Sequence, residues 1–210
     1  MMKKTIIGFT LLSALLVSGS QSVFAVESTS KGNILLTTDE TATPPVEPGE
    51  EPDDGTTTGM TGSLTIDYVP NFNFVQAQGG LSGTFSDTKT KNVQVTDKRG
   101  TGSGWNLDVS ITPFKDSDKV IKGATITLPG TAEKGNQVNT SEAITTQENS
   151  NIMVNSDVST PINIAMAGKN EGMGTWLVKF QNASMDIPEG NVLGNYSSTF
   201  TWTLSSTPIE

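Results

Sequence analysis

Apolar and polar residues alternate along most of this chain. Leu64, Ile66 and Tyr68 alternate with Thr65 and Asp67, and Trp105, Leu107, Val109 and Ile111 alternate with Asn106, Asp108 and Ser110. The pattern returns in Ala124, Ile126 and Leu128, in Ile162, Ile164 and Met166, and in Trp176, Val178 and Phe180. The last run is the most regular: Tyr196, Ser198, Phe200, Trp202 and Leu204 face one way, and Ser197, Thr199, Thr201, Thr203 and Ser205 face the other. Successive side chains of a strand point to opposite faces, so each run predicts a strand with one buried and one wet face. Turn signals separate the runs: Asp97-Lys98-Arg99-Gly100, Pro129-Gly130, Lys134-Gly135-Asn136, Glu171-Gly172 and Pro188-Glu189-Gly190. The expected fold is all-β: an antiparallel β-sandwich or barrel-like domain with Ig-like Greek-key connections and long loops. The polar stretch from Thr131 to Asn151 is predicted to be such loops.

Three segments depart from this pattern. The first 25 residues carry Lys3 and Lys4, then an apolar run from Ile6 to Val17, then Val23-Phe24-Ala25. That is the layout of an export signal with small residues at the cleavage site. The apolar run is short for a membrane span, which takes about 20 residues, and no transmembrane segment is expected after cleavage. Asn33-Ile34-Leu35-Leu36-Thr37 reads as one short strand. Residues 39–62 are rich in Pro, Asp, Glu and Thr and lack aromatics, which predicts a flexible, extended acidic segment.

Charge and rare residues narrow the function. Of 13 basic and 22 acidic residues, Lys3 and Lys4 leave with the leader, so the exported chain has 11 basic residues against 22 acidic. Polyanion binding rests on Lys and Arg, so nucleic acid is not an expected partner. There is no Cys, hence no disulfide, no thiol chemistry and no lipidated cysteine. There is no His, the commonest general base and metal ligand. Leu128-Pro129-Gly130-Thr131 resembles a sortase signal but has Ala132 where Gly is required, and it lies mid-chain. The expectation is a protein that is secreted, or held at a surface by non-covalent contacts.

Candidate chemistry is sparse. Gly100-Thr101-Gly102-Ser103-Gly104 invites a phosphate-loop reading, but that needs a following helix N-terminus, and a period-two run follows instead. It reads as a flexible hairpin loop. Asp116-Ser117-Asp118 supplies two oxygens of a calcium site without the other loop ligands; the competing reading is a solvated turn. A wall-cleaving glycosidase would need paired carboxylates flanking its substrate. The acidic residues after position 60 fall mostly in turns or on wet strand faces, Asp67 and Asp108 included. No catalytic, cofactor or metal site is predicted.

The most informative residues are two tripeptides on strand-like sequence, Trp105-Asn106-Leu107 and Trp202-Thr203-Leu204. With Val95-Thr96-Asp97-Lys98-Arg99-Gly100 before the first, and Tyr196-Ser197-Ser198-Thr199-Phe200-Thr201 before the second, the chain resembles the WxL-domain surface proteins of low-GC Gram-positive bacteria. The stretch Leu64-Thr65-Ile66-Asp67-Tyr68-Val69-Pro70-Asn71-Phe72-Asn73-Phe74 is similar to the opening of those domains; Val75 and Gln76 depart from the Gly that many members carry there. The resemblance implies a signal peptide over 1–25, a short segment 26–31 and a WxL domain over 32–208 that includes the acidic insert 39–62. It also implies a non-enzymatic protein held non-covalently at the wall, with peptidoglycan, membrane-anchored surface proteins and other WxL proteins as partners. The alternative is an assembly subunit that contacts only other surface proteins.

Trp105, Leu107, Trp202 and Leu204 are carried over as motif residues. Each Trp shares its face with its Leu and with Val109 or Phe200, which favours core packing. The competing reading stacks the rings on wall sugars or on a partner. A neighbouring strand can bring the motifs together as a cross-strand aromatic pair. Cleavage is expected after Ala25, and intact mass of the exported protein should give an N-terminus at Val26.

Overall fold

The computed structural model describes residues 27–47, 54–147, 150–154 and 160–206. The expected leader and its cleavage site lie outside these described residues. The chain divides after Leu36 into two units. In the first, residues 27–36 have no regular structure, and Ile34, Leu35 and Leu36 are exposed. The strand expected over Asn33–Thr37 is therefore not formed. A lone apolar run with no neighbouring strand has no ladder to satisfy its backbone.

The second unit is all β among the described residues, with fifteen strands. In chain order these are β1 (Gly55–Thr57), β2 (Leu64–Pro70), β3 (Gly83–Asp87), β4 (Lys91–Asp97) and β5 (Trp105–Ile111), then β6 (Lys115–Asp116), β7 (Lys119–Val120), β8 (Ala124–Leu128), β9 (Gly130–Lys134) and β10 (Thr145–Thr146), then β11 (Ser150–Val154), β12 (Ile162–Ala167), β13 (Gly174–Phe180), β14 (Ala183–Ile187) and β15 (Phe200–Ser205). Sheet A has the order β1-β2-β4-β13-β9, sheet B β11-β8-β14-β3 and sheet C β10-β12-β5-β15, while β6 and β7 form a small hairpin. All the strand pairs are antiparallel. The sheets do not close into a barrel, so the fold is a β-sandwich.

One core is shared by all three sheets. Sheet A contributes Ile66, Val93, Val95, Trp176, Val178 and Phe180. Facing them are Trp105, Leu107, Val109 and Ile111 of β5 and Ile126, Leu128, Ala183 and Met185 of sheet B. These are mostly the alternating apolar positions, because a strand can offer every second side chain to one core. Nine strands had no counterpart in the pattern: β1, β3, β4, β6, β7, β9, β10, β11 and β14. The last four of the five residues of β9, all of β10 and the first two residues of β11 lie in the stretch 131–151 predicted to be loops. Pro129 is where the chain leaves sheet B and enters sheet A, with Gly130 pairing to Phe180.

Two β-bulges override the period of two. Between β2 and β4, Ile66 pairs with Val95 but Tyr68 pairs with Gln94, so Asp67 is an extra residue. The insertion moves Tyr68 off the core face and brings Val69 onto it. Between β12 and β5, the register shifts between Asn163 and Ala165. Ala165 and Ala167 then join the core, and Met166 does not.

The acidic segment read as flexible is held to sheet A in its described parts. Val46 N–H donates to Gln94 Oε1 (2.7 Å), Gln94 Nε2 donates to the Pro44 carbonyl (3.0 Å), and Asn92 Nδ2 donates to the Glu47 carbonyl (2.8 Å). Lys98 Nζ donates to the Thr41 carbonyl, and Lys179 Nζ lies 2.9 Å from Glu47 and 2.6 Å from Glu133. Partial burial pushes the Lys179 ammonium down, but the hydrogen bonds and charges of Glu133 and Glu47 outweigh it and hold the group above its ordinary value. Beyond residue 53, Asp54 pairs with Lys91 at 2.6 Å, and β1 adds to the sheet edge. Composition predicted disorder from the lack of apolar groups; here lysines and amides of the sheet supply the contacts instead.

This strap covers a polar network. Asp67, expected on a wet face, is buried at the bulge and accepts from Thr65 Oγ1 (2.7 Å), Gln94 Nε2 (2.9 Å) and Thr96 Oγ1 (2.5 Å). Removing an acceptor leaves buried donors short of a partner, each at about 1–3 kcal/mol. Asp67→Ala should destabilise the domain by about 3 kcal/mol, seen as a lower urea midpoint with an unchanged m-value.

Candidate functional site

β15 pairs with β5 and brings the two tripeptides side by side. Leu204 faces Leu107, Trp202 faces Val109 and Phe200 faces Ile111. The contact expected between tryptophans is thus made by the leucines, because antiparallel pairing puts the two rings at opposite ends of the strand pair. Trp202 sits four residues along β5 from the position of Trp105, roughly 13 Å away.

The two rings have different surroundings. Trp105 is fully buried, at 0% exposure, and its Nε1–H donates to the Gly172 carbonyl at 3.1 Å. Gly172 has φ +66°, and a Cβ there would lie 2.8 Å from Trp105 Nε1, so only glycine lets the turn close over the ring. Gly104 is held similarly: a Cβ would collide with the Ala167 carbonyl. The loop before Trp105 is clasped by Arg99, whose guanidinium makes two hydrogen bonds to buried Asp97 (2.9 and 2.8 Å) and one to the Gly104 carbonyl (2.7 Å). This loop joins sheet A to sheet C; it is not the hairpin expected, since β4 and β5 are not partners. A strand follows the glycine run, as the period predicted.

Trp202 is only half-buried. β15 is an edge strand with one neighbour, and beside it the sandwich stays open. A cleft of about 440 Å³ lies between β15 and the chain after β2, lined by Phe72, Phe114, Tyr196, Phe200 and Trp202 with Asn71, Ser197, Ser198 and Thr199. Its rings form a connected set. Phe72 lies 5.1 Å from Phe200 and 5.9 Å from Phe74 and Phe180, and Phe180 lies 5.8 Å from Trp202. Core-buried Phe180 thus backs the rings that line the cleft. A second cavity of about 260 Å³ shares Phe72, Phe114 and Tyr196, extending the aromatic groove toward Phe85 and Ile187.

The pattern did not single out Phe72, Phe114 and Tyr196 as site residues. The available signal was aromatic residues at alternate positions outside strands, as in Phe72 and Phe74 after Pro70. Asp116, weighed as a calcium ligand, is engaged elsewhere: it pairs with Lys119 at 3.7 Å and accepts from Asn195 N–H at 3.2 Å. Among the described residues, no group of three carboxylates gathers that could hold a metal.

An all-β sandwich with an open aromatic cleft is the build of a binding module. A family model described as WxL domain surface cell wall-binding matches residues 24–208. The chain belongs to this WxL family, and its place is the cell surface and wall. The family is one of binding domains, not of enzymes. Searches of curated proteins and of solved structures returned no match.

The unequal burial of the two rings sets unequal costs. Trp105→Ala should cost about 3–5 kcal/mol, and Trp202→Ala about 1–2 kcal/mol. Chemical denaturation of the two variants measures both.

Proposed function

We propose that this protein attaches to the wall non-covalently by taking peptidoglycan into the aromatic cleft beside β15. The half-exposure of Trp202 and its neighbouring rings carries this reading. A folded chain hides such rings where it can, and here they line a groove rimmed by Asn71, Ser197, Ser198 and Thr199. Sugar rings present C–H faces that pack on aromatic faces and hydroxyls that hydrogen-bond at the rim. In this reading Trp105, Leu107 and Leu204 hold the β5–β15 strand pair in place, and Trp202 touches the ligand. Residues 1–25 are the removed leader, 26–31 a short N-terminal segment and 32–208 the wall-binding domain.

The exported chain carries twice as many acidic as basic residues, so its affinity for a wall rich in carboxylates does not come from charge. Contact with the uncharged glycan fits that balance. The exposed face of β15, with Thr201 and Thr203, is left free for a membrane-anchored surface protein that assembles with the chain.

Retention on purified, protein-free peptidoglycan tests the reading. Wild type should be retained equally in low salt and in about 1 M salt, where exposed charge pairs are screened. Trp202→Ala and Tyr196→Ala should lose retention while staying folded. Retention only after a partner protein is added would replace direct binding with the assembly-subunit reading.

A further inference from the structure

The aromatic groove ends in a patch of different chemistry. Beyond Tyr196, a cavity of about 110 Å³ is lined by Phe85, Ile187, Leu81, Val192 and Leu193. Leu81, Val192 and Leu193 are large aliphatic residues that stand open to solvent, Leu193 at 76%. A slack loop would expose such residues without consequence, but this loop is not slack. Asn191 Oδ1 accepts from Lys122 N–H (2.8 Å), and Asn191 Nδ2 donates to the Pro188 carbonyl (3.0 Å) and the Lys122 carbonyl (3.2 Å). Tyr196 Oη donates to the Val192 carbonyl (2.7 Å), and Lys119 Nζ donates to the Leu193 carbonyl (2.9 Å). Polar side chains are thus spent on holding two aliphatic residues outward, and an apolar surface fixed in advance is one from which little freedom is lost on binding.

The same chain carries a second exposed apolar segment. Ile34, Leu35 and Leu36 are consecutive, uncharged and exposed at 86%, 85% and 83%, within a stretch that has no regular structure. The nearest charged residues on either side are Lys31 and Asp39, so the run can enter an apolar contact without burying a charge. We propose that this segment of one molecule docks on the Leu81–Val192–Leu193 patch of a second copy. Segment and patch are different surfaces, so the contact is heterologous. It yields head-to-tail chains, or closed pairs if two molecules exchange segments. Such association would array copies along the wall, while the Trp202 cleft stays open to sugar.

Sedimentation of the exported chain over a concentration series tests this, with Leu35→Asp and Leu193→Asp as variants. Both positions are exposed, so neither change should disturb folding; Val138→Asp, at another exposed aliphatic position, is the control. Wild type and control should associate with concentration, and each test variant should need at least about tenfold more protein to do so. The two variants mixed should form a pair, since one retains the segment and the other the patch. Wild type that stays monomeric, variants that associate like wild type, or a mixture that forms no pair would each overturn the proposal. Retention of the variants on peptidoglycan is read separately and should not change, so failure here is distinct from failure of the cleft reading.

Discussion

The pairing of β15 with β5 is the contact on which the rest of the molecule depends. It joins the end of the described chain to its middle, with Leu204 against Leu107, and it places β5 between two neighbours in sheet C. β5 then presents Trp105, Leu107, Val109 and Ile111 to the core as a continuous buried row. Around its first residue the chain is locked by the Arg99–Asp97 clasp, by Gly104 under the Ala167 carbonyl and by Gly172 over the indole. Without β15, β5 would be an edge, and one side of its ladder would be left to water.

The same pairing explains why two copies of one tripeptide have different surroundings. β5 is central, so its tryptophan is enclosed on every side. β15 has a single neighbour, so its inward face is only partly covered and Trp202 looks into the open seam between sheets A and C. The rings of Phe72, Phe200 and Phe180 carry the core out to that seam. The cleft is lined by rings that also make the aromatic contacts holding the sandwich together, so cleft and core are one packing unit.

The opposite side of sheet A is built on a different principle. There the outer face is not wet but capped by the strap over residues 39–47, with Asp67, Gln94 and Thr96 satisfied beneath it. A polar interlayer of this sort is stable only when its members find partners, and the bulge at Asp67 is what turns that carboxylate toward Gln94 and Thr96. Asp39 and Glu47 of the strap meet Lys98 and Lys179, and Asp54 beyond it meets Lys91. The excess of acid in the composition is therefore in part a structural counter-charge.

Much of this was legible in the residues. Alternation is a local property, set by the pleat, so the faces of β5, β8, β13 and β15 could be read without knowing any partner, and the paired tripeptides with their flanks identified the family. Reading failed where the answer was non-local. The bulges that turn Tyr68 and Met166 away from the core arise from register against β4 and β5. The strap is ordered by side chains some fifty residues along the chain. Asn33–Thr37 has strand composition but no strand to pair with. The sequence by itself determined an all-β wall-binding domain and which residues share a face. Only the tertiary structure decided that Trp105 is enclosed and Trp202 open, because a side chain's exposure depends on how many neighbours its strand acquires, and no local pattern records that number.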